Sequence, residues 1–262
     1  MENATPMLRQ YLEIKKQYPG TILFFRLGDF YEMFNEDALI GSRELQITLT
    51  ARQKDSPNPI PMCGVPYHAA SGYISKLVSK GYRVAICDQT EQPTKGTKLV
   101  RREVVRIITP GTAVDEQLQD ERDPLFLASA VELNDLVGVA FLDVSTGEFF
   151  VSEFDGADRW VKARERIDRY SPKELVLPNT HSQRWAADLG FASRESILYP
   201  EVSTTSGSPN EITITPVNDE SSELNLAAAR LQKQFGVKTL AGFGIEDRSA
   251  AIAAAGSCLA YA

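Results

Sequence analysis

Apolar residues in the first 113 positions follow two spacings, which predict helices and strands in mixed order. Spacings of three and four residues predict helices over 6–18, 30–45 and 73–80. Thr5-Pro6 is typical of a helix N-terminus, and we place Asp29 at the N-cap of the second helix. Short continuous apolar runs predict strands over 21–27, 47–51, 83–87 and 103–108. This mixture is typical of a compact α/β domain.

The second half begins with strands and then alternates helices with strands. Three successive strands are predicted over 125–131, 136–144 and 148–153. Later segments predict a helix, two strands and a further helix over 158–169, 174–177, 212–217 and 224–235. This order is that of ribonuclease-H-like domains, an analogy of fold that says nothing about activity. The alanine-rich segment 249–262 predicts a helix that stops mid-pattern, as expected for part of a longer protein.

Composition describes a globular protein with enough apolar residues for a core. The chain has 262 residues, of which 43% are hydrophobic and 24% charged, and its formal net charge is −7. Apolar runs stay well short of the roughly 20 residues that span a membrane. Three widely spaced cysteines form no zinc pattern, so we expect reduced thiols and a cytoplasmic protein. An acidic chain argues at first against nucleic acid as a partner.

The net charge is an average over two unlike halves. Residues 1–113 hold 15 basic and 11 acidic side chains, a net of +4, whereas 114–262 hold 13 and 24, a net of −11. The charged segment 114–124 ends in a proline and is typical of a linker. We therefore predict domains over 1–113 and 125–262, with different partners. Weak positive charge alone is poor evidence that the first domain binds DNA.

Aromatic residues concentrate between positions 24 and 34. Phe30 and Phe34 are four residues apart, and the commonest role of such a pair is packing in a core. An alternative role is an exposed wedge, because a phenylalanine at a corner of the fold can enter a base step from the minor groove. The neighbouring Glu32 fits this role if it faces a base edge, where a carboxylate accepts a hydrogen bond.

Four segments of the first half resemble signature segments of the bacterial MutS family of DNA mismatch-repair proteins. They cover 28–34, 59–69, 84–89 and 102–112, in the family's order. The first resembles the family's Phe-x-Glu mismatch-reading motif. The resemblance implies that Phe30 stacks beside a mispaired base and that Glu32 hydrogen-bonds to that base. It implies a mixed α/β mismatch-recognition domain followed by a ribonuclease-H-like connector domain.

Other site residues and partners are assigned with less support. Arg52 and Met62 match positions near the DNA in the family. Lys76 and Arg102 are candidate phosphate contacts from their charge alone. The resemblance further implies mismatched duplex DNA as ligand, a MutL-like protein docking on the connector domain, a homodimer for the full-length protein, and a cytoplasmic, nucleoid-associated location.

The chain lacks the sequence pattern of a nucleotide-binding phosphate loop. The resemblance implies ATP and magnesium for the full-length family protein, through regions that these 262 residues do not resemble. For this chain we expect neither ATPase activity nor a cofactor.

The alternative function is a metal-dependent nuclease. Ribonuclease-H-like domains can cut nucleic acid with carboxylates that hold two magnesium ions. Asp143 lies near the end of a predicted hairpin strand, where such folds place a ligand, and the remaining candidates are Asp168, Asp219 and Asp247. An aspartate beside a turn is more often structural, so binding is the favoured function.

Overall fold

The computed structural model describes residues 5–53, 58–91, 100–113, 124–191 and 212–262. These residues form two compact units, the first ending at Thr109 and the second beginning at Pro110. We call them the N-terminal unit and the C-terminal unit. Residues 114–123 of the predicted linker lie outside the described residues.

The N-terminal unit contains one six-stranded sheet and three α-helices. Its strands are β1 (Thr21–Leu27), β2 (Phe30–Phe34), β3 (Thr50–Arg52), β4 (Ile60–Pro66), β5 (Arg83–Gln89) and β6 (Arg102–Ile108). Its helices are α1 (Pro6–Gln17), α2 (Asn35–Leu45) and α3 (Ala70–Val78). The strand order is β3-β4-β2-β1-β5-β6, in which β1 and β5 are parallel and the other neighbours antiparallel. The mixed α/β fold predicted for this half is confirmed.

The prediction of a helix over 30–45 is wrong in its first five residues. Phe30–Phe34 form β2, which pairs with both β1 and β4, and α2 begins only at Asn35. A spacing of four residues between phenylalanines fits a helix face, but it also fits a strand, where every second side chain shares a face. Aromatic residues favour strands, and two neighbouring strands satisfy the backbone hydrogen bonds of β2. The predicted strand over 47–51 also begins later, at Thr50, and β4 was not predicted.

Helix α1 packs on the sheet face that carries Phe25 and Phe34. The Tyr11 ring lies edge-on to both, with centroid distances of 5.5 and 5.0 Å. Its hydroxyl donates to the buried Asp37 at 2.7 Å, and Lys15 pairs with the other carboxylate oxygen at 2.6 Å. A backbone N–H of β1 donates a third hydrogen bond to Asp37 at 3.0 Å. This buried carboxylate is therefore satisfied, and it joins α1, β1 and α2.

The C-terminal unit contains a five-stranded sheet with helices around it. Its strands are β7 (Phe126–Leu133), β8 (Leu136–Asp143), β9 (Phe149–Phe154), β10 (Glu174–Pro178) and β11 (Thr213–Val217). Its helices are α4 (Arg159–Tyr170), α5 (Ser182–Asp188), α6 (Leu224–Phe235) and α7 (Ser249–Tyr261). The order is β11-β10-β7-β8-β9, with β7, β8 and β9 antiparallel and β10 and β11 parallel to β7. This is the predicted ribonuclease-H-like topology.

The alanine-rich helix α7 packs unusually close to its neighbours because two glycines leave no side chain in the way. A Cβ atom at Gly138 of β8 would lie 1.9 Å from the carbonyl oxygen of Ala250. A Cβ atom at Gly256 of α7 would lie 2.2 Å from the Cβ atom of Ala227 in α6. These approaches bury α7 from Ala250 to Cys258 and centre the core of the C-terminal unit on it.

Gly138→Ala should destabilise the C-terminal unit by about 3 kcal/mol, because the new methyl group meets backbone that cannot move without separating α7 from the sheet. Urea unfolding followed by tryptophan fluorescence measures this, since both tryptophans, Trp160 and Trp185, lie in this unit. Gly242→Ala is the matched control, because a Cβ atom there meets nothing within 4 Å. Equal effects of the two substitutions would contradict the prediction.

The three cysteines are free thiols in the two cores. Cys63, Cys87 and Cys258 are all buried, and none forms a disulfide. Burial raises the pKa of Cys63 and of Cys87 to about 12, and it also raises the pKa of Cys258.

In the described parts of the chain, no helix is both long and apolar enough to cross a membrane.

Candidate nucleic-acid interface

Alternate side chains of β2 place Phe30 and Glu32 on one face of the sheet. Glu32 lies opposite Phe25, and Phe30 opposite Leu27, so these residues share the face that α1 covers further along. Exposure falls along this face of the strand, from 47% at Phe30 to 1% at Phe34. Phe30 therefore lies outside the core, and Phe34 lies inside it. The predicted core packing of this pair holds for Phe34 alone.

The turn before Phe30 is held by an arginine and a tyrosine. Gly28 has φ of +58°, in the left-handed region that favours glycine. The Arg26 Nε donates to the Gly28 carbonyl at 2.6 Å, and its guanidinium carbon lies 3.6 Å from the centroid of the Tyr67 ring. The Tyr67 N–H in turn donates to the Asp29 carbonyl at 2.9 Å. These contacts fix the point at which β2 begins.

Sequence reasoning missed both residues that hold this turn. Arg26 lies in the aromatic segment and Tyr67 in the second family-like segment, so both belong to segments that the sequence had already singled out. A signal was present, since an arginine two residues before a glycine turn can reach the turn's carbonyls. Its stacking on Tyr67 depends on a contact between distant segments, which sequence spacing does not predict.

Glu32 and Arg52 form an ion pair across the sheet. The distance from Arg52 Nη1 to Glu32 Oε2 is 3.2 Å, and the Glu32 side chain is 20% exposed. Burial raises the pKa of Glu32, and the attraction of Arg52 opposes that shift without cancelling it. Gly64 lies directly opposite Glu32 on β4, where a Cβ atom would lie 3.4 Å from Glu32 Cγ. Glu32 is thus a half-buried acid with one guanidinium beside it.

Met62 lies on the same sheet face, and Lys76 does not. Met62 is opposite Phe34 on β4 and packs partly buried against the core under α1. Lys76 is exposed on α3, which contacts α2. Helix α2 covers the other face, where Cys63 donates to the Ala38 carbonyl. The structure therefore brings together four of the six candidate residues, namely Phe30, Glu32, Arg52 and Met62.

Arg102 is not placed as the sequence suggested. Its side chain is buried, and its guanidinium donates to the Arg26 carbonyl at 2.6 Å, the Gln10 side chain at 3.0 Å and the Val100 carbonyl at 2.9 Å. The guanidinium carbon also lies 5.0 Å from the Phe25 ring centroid. These partners engage Nε and Nη1 inside the fold, so Arg102 ties β6 to β1 and α1, and its buried side chain is not positioned to contact a phosphate.

The residues proposed for a nuclease do not converge. Asp143 is buried, and its Oδ1 accepts from the N–H and hydroxyl of Ser145 at 2.8 and 2.6 Å, which caps the hairpin turn. Asp168 pairs with Arg164, and Asp219 accepts from Thr180. Across the described residues, no three histidine, cysteine or acidic side chains form a possible metal site. The nuclease alternative is therefore not supported.

Comparisons with known proteins match a family model to each part of the chain. Residues 5–117 match MutS domain I, and residues 125–262 match MutS domain II. Three proteins named DNA mismatch repair protein MutS match nearly the whole chain. They come from Syntrophomonas wolfei (41% identity over 100% of this chain), Pelotomaculum thermopropionicum (44% over 97%) and an Anaeromyxobacter species (46% over 98%). The chain spans 29%, 28% and 26% of their lengths.

A solved structure also shows weak likeness. The family B DNA polymerase from the hyperthermophilic archaeon Pyrobaculum calidifontis matches 88% of this chain and 40% of its own, at 14% identity and a TM-score of 0.29. A TM-score this low does not indicate a shared fold. The two matched domains, in contrast, define a class of protein, the DNA mismatch-repair proteins. Within that class, this chain belongs to the MutS family.

Glu32→Gln should stabilise the chain increasingly as the pH rises. The pKa of Glu32 is higher in the folded than in the unfolded chain, so protonation of Glu32 favours the folded chain. This contribution to stability is fully present below the ordinary pKa of 4.5. That stability is lost as the pH rises through the folded pKa, whereas glutamine does not titrate. Urea unfolding by circular dichroism at pH 4 and pH 7 measures the difference. Glu13→Gln, on the exposed side of α1, is the matched control.

Arg26→Met should loosen the turn while keeping a long unbranched side chain. It removes a charged hydrogen bond and a cation–π contact, and we expect amide hydrogens at Phe30 and Tyr31 to exchange about tenfold faster. Hydrogen exchange followed by NMR measures this. Arg83→Met is the control, because Arg83 bonds to the carbonyls of Pro19 and Gly20 at the other end of β1. Unchanged exchange in Arg26→Met would show that the turn holds without its guanidinium.

Proposed function

We propose that the N-terminal unit recognises mismatched or unpaired bases in duplex DNA. The observation that carries the proposal is the placement of Phe30 and Glu32 on one face of β2, directly after a held turn. The relatives named DNA mismatch repair protein MutS support it at the level of the family.

Phe30 is the wedge in this proposal. An aromatic ring that inserts between base pairs from the minor groove unstacks one step and kinks the duplex. A mismatched step is easier to unstack and bend than a paired one. Stacking of the ring on a base is worth about 1–3 kcal/mol and tolerates any base. Recognition then depends on how easily the duplex deforms, which suits a protein that must detect many different mispairs.

Glu32 adds discrimination in this proposal. A carboxylate approaching an intact duplex is repelled by the phosphates and has no base atom to bind. Once the step is kinked, the same group can accept a hydrogen bond from a base. In its neutral form it can donate one, and the raised pKa brings that form closer to neutral pH. We expect Glu32 to affect the ratio of mismatched to matched affinity more than affinity itself.

We propose that these 262 residues bind and do not catalyse. The matched domains are I and II, and the sequence lacks a phosphate-loop pattern. ATP and magnesium are proposed for the longer family protein, and no cofactor is proposed for this chain. The proposed setting is the bacterial cytoplasm, at the nucleoid.

The C-terminal unit is proposed to dock a MutL-like protein. Its half of the sequence is strongly acidic, and exposed aromatic side chains, which are enriched at protein interfaces, support the proposal. These side chains are Phe150, Phe235 and Phe243. A homodimer is proposed for the longer family protein.

Phe30→Ala should abolish most of the preference for mismatched DNA. Loss of stacking should lower the ratio of G·T to matched affinity about tenfold, because the wedge acts only where the duplex can open. Fluorescence anisotropy titrations with both duplexes at one stated low salt concentration measure the ratio.

Phe243→Ala provides the matched control, because Phe243 is 51% exposed, close to the 47% of Phe30, and lies in the C-terminal unit. It should leave the ratio unchanged. An unchanged ratio in Phe30→Ala would remove the basis of the proposed function.

A further inference from the structure

Arg52 lies at the edge of the sheet and reaches the candidate interface across a neighbouring strand. It ends β3, which pairs with β4, and β4 separates β3 from β2. Its guanidinium carbon is 6.0 Å from the Phe34 ring centroid, and Nη1 is 3.2 Å from Glu32 Oε2. The side chain remains 41% exposed. Arg52 is therefore held by Glu32 and still open to solvent.

Charge makes this contact relevant to DNA binding. Among the described residues, Arg52 is the cation within ion-pair distance of Glu32. A lone carboxylate on a DNA-binding face repels phosphates, whereas a paired one presents little net charge. Glu32 accepts the Arg52 hydrogen bond through Oε2, so a base that binds this oxygen competes with Arg52 for it. The pair weakens when Glu32 engages a base in this way.

We propose that Arg52 is a specificity-determining residue. It neutralises the Glu32 carboxylate until a mispaired base replaces it beside Glu32. Arg52 then contacts a phosphate. The inference rests on the proposed function of Phe30 and Glu32. Arg52 therefore acts on recognition through Glu32 and does not read a base itself.

The proposal gives Arg52 unequal effects on matched and mismatched DNA. On a matched duplex the bases stay stacked, so removing Arg52 leaves the Glu32 charge facing the phosphates with no partner. On a mismatched duplex the base satisfies Glu32, and only the phosphate contact is lost. Arg52→Met should therefore weaken matched binding more than mismatched binding. We expect the affinity ratio to rise about three- to fivefold, within the range measured for ion pairs at protein surfaces.

A double-mutant cycle tests whether the effect passes through Glu32. Titrations with G·T and matched duplexes compare the wild type with Arg52→Met, Glu32→Gln and the double variant. The ratio should rise in Arg52→Met and should not rise further when Arg52→Met is added to Glu32→Gln. Arg52→Lys keeps the charge and should restore the wild-type ratio. Thermal melting of each variant reports folding.

Two controls separate this proposal from simpler ones. Arg83→Met removes an arginine of β5 that lies beside the far end of β1. It should leave the ratio unchanged. The same substitutions are also measured in a chimera, in which the chain replaces the matching segment of the Syntrophomonas wolfei relative, 41% identical over the whole chain. The chimera provides a longer protein in case the isolated chain binds weakly.

The outcomes are distinct. Equal losses for both duplexes in Arg52→Met would reduce Arg52 to a phosphate contact and overturn the proposal. A rise in the ratio that persists in the Glu32→Gln background would overturn it as well, because the effect would not pass through the pair. An unchanged ratio in Phe30→Ala, measured alongside, would overturn the proposed function itself. Loss of the ratio in Phe30→Ala together with additive Arg52 effects would overturn only the role of Arg52.

Discussion

The candidate interface depends on the turn between β1 and β2. Side chains on a strand alternate between faces, so the residue at which β2 begins decides which side chains face which way. If β2 were shifted by one residue, Tyr31 and Met33 would replace Phe30 and Glu32 on the face of α1. The left-handed backbone of Gly28 and the contacts of Arg26 prevent that shift. Placement on a paired strand also holds the two side chains more rigidly than a loop would.

Three cations of the N-terminal unit have structural partners within the fold. Lys15 pairs with the buried Asp37, Arg26 holds the turn, and Arg102 is enclosed by carbonyl and amide oxygens. The net of +4 in the first 113 residues therefore includes the Arg102 guanidinium, which is buried and does not face a DNA backbone. Arg52 differs from these cations because it is both paired and exposed. Counting charges along a sequence cannot separate these cases, because burial is decided by tertiary contacts.

Much of the architecture could be predicted from the sequence because it depends on local patterns. The apolar run at 21–27 is typical of a strand and forms one in the structure. The residues after Asp143 are typical of a hairpin turn and form one in the structure. The segment 30–34 was misread as helix because its spacing fits both periods, and only pairing with β1 and β4 resolves it. The resemblance to the family motif made Phe30 and Glu32 candidates, and their role stays a prediction. The partnership of Glu32 with Arg52 required a register between strands that no local pattern contains.

The buried thiols have a practical consequence for studying this protein. A cysteine whose pKa is raised to about 12 carries almost no thiolate at neutral pH, and thiolate is the form that reacts with maleimides. All three native cysteines are also shielded by their surroundings. A single cysteine introduced on the surface could therefore take a fluorescent dye selectively while the native thiols stay in place. The chain can carry a fluorescent reporter without any change to its cores.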